Sequence, residues 1–237
     1  MSAAPGGQSD RLPVPILPPA IGYERWAPSY DRTPNPLLAL EEREVRPLLP
    51  ELHEKCVLDL CCGTGRWLRI LQAHLPASLL GVDSSAAMLG RAGRSFYQLV
   101  RADCRRLPFA AGMFDFVICS FAMGHILELG HFAGECARIL RPRGSLFVTD
   151  LHPKAHAMGW RTSFRDEQGV AEIETIAHPW RESVRLFRSA GLGCAGMHEF
   201  RFAAAEQPIF LAAGKHAFFA QASQVPAVLL GRFWRMT

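Results

Sequence analysis

At 237 residues, 49% hydrophobic and 20% charged, the chain has the length and balance of one sizeable globular domain and is short for two. A formal net charge of +4, carried almost wholly by scattered arginines, forms no basic stripe of the kind nucleic acid requires. Seven cysteines, an odd number falling mostly in predicted strands and helices, suit buried thiols in a reducing cytoplasm better than a disulfide framework.

Residues 1–36 read as an N-terminal arm: proline- and glycine-rich, without the basic segment and apolar core of a secretory signal. Pro36 then admits a helix over 37–49, with Leu38, Val45, Leu48 and Leu49 on one face before Pro50. Val57-Leu58-Asp59-Leu60 predicts a short buried strand over 56–60, followed by the turn Gly63-Thr64-Gly65 and a helix over 65–75. The alternation continues with a strand at 78–82, a helix at 84–94 and a strand at 97–101. A strand at 114–120, a helix at 131–140 and a strand at 145–150 follow, the last preceded by the turn Pro142-Arg143-Gly144. Residues 151–170 have no clear period, and 151–180 is read as an insertion. A helix near 180–190, closing at Gly191, and strands near 196–203 and 208–213 complete the fold expected to end at 215. The apolar tail 216–237, with Phe218, Phe219, Leu229, Leu230, Phe233 and Trp234, needs burial against its own domain or against a second copy in a homodimer. No apolar run is long enough for a membrane span.

Strand, glycine turn and helix open a doubly wound α/β fold, in which ligands lie beyond the carboxyl ends of the strands. Asp59 at such an end would repel a pyrophosphate drawn to the helix N-terminus and would attract an ammonium group. That favours a cationic nucleoside over a nicotinamide dinucleotide. A dinucleotide site would also show a third glycine near Leu68, which is absent.

The segment VLDLCCGTGRW resembles the first motif of class I S-adenosylmethionine-dependent methyltransferases, and the resemblance runs from about Tyr23 to Lys215. It is closest to the small-molecule branch that includes ubiquinone and menaquinone methyltransferases. The resemblance implies a Rossmann-like seven-stranded sheet, mostly parallel with an antiparallel last strand, helices on both faces, and S-adenosylmethionine as cofactor. Asp59, Gly63 and Gly65 would then face the methionine end, Asp83 with Ser84 the ribose, and Asp103 with Cys104 the adenine. Ser120 and Tyr30 complete the expected cofactor set, Tyr30-Asp31 looking like a family element that can close over it. Cys61 stands where glycine is commonest.

Methyl transfer from a sulfonium asks mainly for positioning and exclusion of water, with a base for some acceptors. His125 after strand four and His152 after strand five are the expected catalytic residues, with His178 a weaker third. Tyr23, Trp26, Trp160 and Phe164 are expected around the acceptor or as anchors of the loops beside it, and Asp150 as a structural cap. The adjacent pair Cys61-Cys62 lacks ligand spacing, so no metal site is expected. The function expected is methyl transfer to a small organic acceptor by a cytoplasmic enzyme. RNA or protein methylation, and a non-catalytic protein that keeps the fold for assembly, are the alternatives.

Overall fold

The computed structural model describes residues 14–93 and 97–237. Residues 1–13 of the expected arm, and residue 94 of the expected 84–94 helix, lie outside them.

In chain order the elements are β1 (Ile16–Leu17), α1 (Pro19–Trp26), α2 (Pro36–Val45), β2 (Cys56–Leu60), α3 (Arg66–Leu71), β3 (Ser78–Asp83) and α4 (Ala86–Leu89). There follow β4 (Gln98–Arg101), β5 (Phe114–Ser120), α5 (Leu129–Ile139), β6 (Leu140–Leu151), α6 (Pro153–Ala157), β7 (Ser163–Asp166) and β8 (Gly169–Ile173). The chain closes with α7 (Trp180–Ser189), β9 (Leu192–Phe200), α8 (Gln207–Ala212), α9 (Phe219–Ala222) and β10 (Val228–Arg235).

A seven-stranded sheet runs in the order β4-β3-β2-β5-β6-β10-β9. Its first five strands pair in parallel, and β10 runs antiparallel to both neighbours. Strands buried on both faces read as continuous apolar runs, and alternate residues serve opposite faces. Thus Leu58, Leu60, Val117, Cys119, Leu146 and Val148 pack with Phe132 of α5 and Phe187 of α7. Val57, Phe116, Ile118 and Phe147 pack on the other side with Trp67, Leu68 and Leu71 of α3. The expected α/β class, with helices on both faces, is what the chain forms. The order reverses between β2 and β5, and it is there that a doubly wound sheet opens its ligand crevice.

Two expectations are corrected. Residues 208–213 do not form a strand: Gln207–Ala212 is helix, with a proline at its first turn. A run as short as Ile209-Phe210-Leu211 fits either period, and Pro208 decides for the helix. The seventh strand is instead Val228–Arg235, inside the supposed tail. It is inserted between β6 and β9, with Val228, Leu230 and Phe233 fully or almost fully buried. Residues 228–235 of the tail are therefore central sheet, packed on their own domain, while Phe218 and Trp234 stay exposed.

Smaller differences concern element ends. Expected helix 84–94 stops at Leu89 before Gly90, and Gly65 stands at the α3 N-terminus in the left-handed region, φ 79°. The expected turn at 142–144 survives inside β6, whose pairing with β5 skips from Leu140 to Ser145. The insertion is more regular than its sequence: β7 and β8 form a hairpin, and β1 pairs in parallel with β8. This small sheet packs on α1 through Trp26, Phe164, Ala171 and Ile173, which holds α1 across the crevice.

Candidate active site

A cleft of about 680 Å³ opens at the carboxyl ends of β2, β3, β4 and β5 and is roofed by α1 and the turn at Tyr30–Arg32. Its volume lies within the range of small-molecule and cofactor sites. Asp59, Gly63, Asp83, Ser84, Asp103, Cys104, Ser120, Tyr30, Tyr23 and His125 all line it. Gly65 lies just behind the lining and shapes the entry to α3.

Asp59 ends β2 almost wholly buried, and its Oδ2 has no hydrogen-bond partner. Burial lifts its carboxyl well above the ordinary range, an effect opposed by the nearby Arg66 guanidinium. An unpartnered buried carboxylate oxygen in the cleft wall is costly unless a donor or cation reaches it. Gly63, φ 54°, leaves open space where a side chain would project, and its N–H donates to Asp83 Oδ2 at 2.8 Å. Asp83 Oδ1 accepts from Ser85 N–H at 2.9 Å, so the turn after β2 and the end of β3 are tied together. Burial raises this carboxyl too, against the lowering effect of those N–H donors.

Asp103 is half-exposed and forked by its neighbour: Arg105 donates to it at 2.7 Å and holds its carboxyl below the ordinary range. Its side chain is thus engaged locally rather than free toward the cleft. Tyr30 is pushed up to about 12 by burial. Ser120 Oγ accepts from Arg66 at 3.0 Å.

His125 sits on the 3₁₀ turn Met123–His125 after β5. Asp150 Oδ2 accepts the Gly124 N–H at 2.6 Å and Gly124 O accepts from Ile176 N–H at 2.7 Å, so the turn is pinned from β6 and from the insertion. Burial pushes the Asp150 carboxyl up to about 6. His125 Nδ1 lies 2.9 Å from Glu174 O, and a carbonyl can only accept, so Nδ1 carries the proton. Nε2 is then the acceptor for the Tyr23 hydroxyl at 2.9 Å. Burial lowers the imidazole below its ordinary range and keeps it neutral, while it raises the Tyr23 phenol well above its own.

His152 does not join this pair in the cleft. It is buried, lies outside the cleft, and its Nδ1 accepts the Lys154 N–H at 3.1 Å as the N-cap of α6. Its Nε2 meets Glu199 Oε1 at 3.2 Å. A histidine before Pro153 caps the short helix because Pro fits the first helical position and leaves the next N–H to be satisfied. His178 likewise donates from Nε2 to Ile126 O at 2.9 Å and braces the loop that carries His125. Trp160 stacks on Phe202 and Phe164 on Trp26, so both anchor loops instead of lining the cleft.

Sequence reasoning missed the polar network around Arg66, behind Asp59 and the glycine turn. Glu41 of α2 is fully buried and accepts from Arg66, from Trp67 Nε1 at 3.3 Å and from the Thr149 hydroxyl. Arg66 was legible as the first helical residue after the glycine turn. Glu41 sits in a stretch of four charged residues, Glu41-Glu42-Arg43-Glu44, that looks solvent-facing. Glu24 of α1 was missed as well: its Oε1 accepts from Ser85 Oγ at 2.9 Å and Ala87 N–H at 3.3 Å, and so latches α1 to the start of α4.

Residues 57–144 match the family model described as "Methyltransferase domain". The match falls on the stretch from β2 through the β6 turn, the part of the chain that carries the strand-end carboxylates and the glycine turn. Among curated proteins, the demethylmenaquinone methyltransferase of Lactiplantibacillus plantarum is 32% identical over 138 residues, covering 52% of this chain and 58% of that one. The chain thus spans less than two thirds of that relative's length. In fold it is similar to an S-adenosylmethionine-dependent methyltransferase from Mesorhizobium loti, TM-score 0.67, 21% identical, covering 85% of this chain and all of that one. A geranyl diphosphate C-methyltransferase from Streptomyces coelicolor, solved with S-adenosyl-L-homocysteine, aligns at TM-score 0.64 and 13% identity, covering 84% of this chain and 76% of that one. The donor set fits such a cofactor: the orphaned Asp59 oxygen suits its ammonium, and the open space over Gly63 admits its close approach to backbone.

Proposed function

We propose that the protein transfers a methyl group from S-adenosylmethionine to a small organic acceptor whose reacting group gives up a proton. The observation that carries this reading is one cleft holding an unpartnered buried carboxylate at one end and a neutral Tyr23–His125 pair at the other. The cofactor supplies an electrophilic methyl group. Asp59 would hold its ammonium, and Asp83, already oriented by Gly63 and Ser85, would use its remaining acceptor capacity on the ribose hydroxyls. Cys104 and Ser84 would border the nucleoside, with Asp103 acting through its Arg105-bound turn. The apolar walls at Leu38, Phe121, Ala122, Ile126 and Leu127 would exclude water from the acceptor.

The proton would leave through Tyr23. Its hydroxyl already donates to His125 Nε2, so it can take a proton from the acceptor as it passes its own to the imidazole. Glu174 O would steady the resulting imidazolium from the Nδ1 side. A hydroxylated aromatic ring or enol meets these demands. The demethylmenaquinone relatives, whose name describes an aromatic acceptor of methyl, lend support to that acceptor class.

The test is transfer of labelled methyl from S-adenosylmethionine to a panel of hydroxynaphthoquinols, phenols and amines. Turnover of one acceptor class, lost in His125→Ala, supports the reading. Cofactor binding without transfer to any class would instead favour the assembly alternative.

A further inference from the structure

Asp103 follows β4 at the end of the cleft expected to take adenine, and its side chain is the one there that could accept from the base. Adenine linked to ribose offers a carboxylate one N–H donor group, the exocyclic 6-amino group. A carboxylate accepts at about four lone-pair sites, and Arg105 makes a contact for each of them. Its backbone N–H donates to Asp103 Oδ1 at 2.8 Å, its Nε to Oδ1 at 3.0 Å and to Oδ2 at 3.1 Å, and its Nη2 to Oδ2 at 2.7 Å. The guanidinium is held on its other edge as well, where Nη1 donates to Glu128 Oε2 at 2.8 Å just ahead of α5. The backbone beneath is fixed too: Arg106 N–H donates to Asp103 O at 2.9 Å, and Ala102 N–H donates to Asp83 O at 3.1 Å.

We infer that Arg105 masks Asp103, so that the cleft takes the nucleoside of its cofactor without reading the 6-amino group of the base. The inference rests on the proposed function, which supplies the nucleoside. Charge-assisted N–H···O bonds are about twice as strong as neutral ones, and a guanidinium that grips both carboxylate oxygens adds geometric fit. The 6-amino group is a neutral donor and would have to displace that grip to reach the same oxygens. The pair is half-exposed, so it adds little to folding, but here it competes only with the weaker donor. The same bonds hold the Asp103 carboxyl below its ordinary range, which keeps it ionised and paired at neutral pH. The mask acts on the amino group alone: contacts to the ring from Ala102, Cys104 and Leu127 in the lining need no N–H of the base. Arg105 is thus the residue that sets selectivity for the base, since without it the Asp103 oxygens would distinguish adenine from a purine lacking the amine.

The test is isothermal titration of the full chain with S-adenosylhomocysteine and with its analogue that carries purine in place of adenine and so lacks only the 6-amino group. The readout is the ratio of the two affinities, which a general loss of structure at the turn would not move in one direction. In wild type the two ligands should bind within about threefold of each other, whereas a hydrogen bond from the amine to an ionised carboxylate would separate them by roughly tenfold or more. In Arg105→Ala, which frees the Asp103 oxygens at an exposed position, S-adenosylhomocysteine should bind about tenfold or more tightly than the analogue. Adding Asp103→Ala to that variant should bring the ratio back to the wild-type value. A wild-type preference of tenfold for S-adenosylhomocysteine, or a ratio that Arg105→Ala leaves unchanged, would overturn the inference while the functional reading stands. Folded wild type that binds neither ligand would overturn both.

Discussion

At the residue scale, burial acts on Asp59 and His125 in opposite senses. Burial raises the Asp59 carboxyl well above its ordinary range, and an ammonium placed beside it would draw it back toward ionisation. Binding of S-adenosylhomocysteine should therefore release a proton at any pH where this carboxyl is protonated beforehand. Titration in buffers of different ionisation heat should show this, and Asp59→Asn should abolish it. His125 is lowered below 6.5, so the neutral base persists as pH falls through that value. The acid limb of kcat should then lie below pH 6.5. The unfolded chain would take up this proton first on acidification, so the group's contribution to stability is complete above pH 6.5 and declines below it. His125→Ala should lower kcat by roughly 10²–10⁴-fold, with S-adenosylhomocysteine affinity changed by less than about threefold. A parallel loss of affinity would make His125 structural. Asp59, Asp83 and Tyr23 could be placed at the crevice from the sequence because each follows or faces a strand end. His152 could not be told from His125 in that way, since capping depends on the Pro153 helix and on Glu199, which is distant in sequence.

At the scale of elements, β10 and α1 depart most from the sequence pattern and matter most to the site. The run Val228-Leu229-Leu230-Gly231 looks like surplus apolar tail because nothing local says which two strands it separates. In the fold it supplies hydrogen-bonding edges to both β6 and β9. Leu230 is fully buried against the Val57–Phe116 side of the core. Leu230→Ala should cost about 2–5 kcal/mol, measurable by denaturant unfolding, and a chain stopped after residue 227 should not fold cooperatively. Helix α1 depends on contacts the sequence cannot announce: Arg25 pairs with Asp166 at 2.8 Å and Glu24 with Ser85. Removing the latch in Glu24→Ala forfeits about 1 kcal/mol of closed state. Stopped-flow release of S-adenosylhomocysteine should accordingly quicken roughly fivefold, with the unfolding midpoint little changed.

For the whole molecule, the parallel half of the sheet was readable because β2, β3, β5 and β6 carry buried apolar runs with a polar residue at or near the ligand edge. The small sheet β1-β8-β7 was not, because its hairpin is short, half-exposed and completed by residues 16–17 from the far end of the chain. That sheet and α1 turn an open crevice into a roofed cleft, joining the nucleoside edge to the Tyr23–His125 pair. Among the described residues no helix is long and apolar enough to cross a membrane, and no cluster of side chains is arranged to hold a metal ion. On the proposed function, this cleft binds S-adenosylmethionine through Asp59 and Asp83, near the ends of β2 and β3. Isothermal titration of the folded chain with S-adenosylhomocysteine, beside Asp83→Ala and with NAD as control, tests it most directly. Micromolar binding that Asp83→Ala loses and NAD does not reproduce is the expected result. Folded protein that gives no heat with S-adenosylhomocysteine, or a variant that binds it as tightly as wild type, would contradict it.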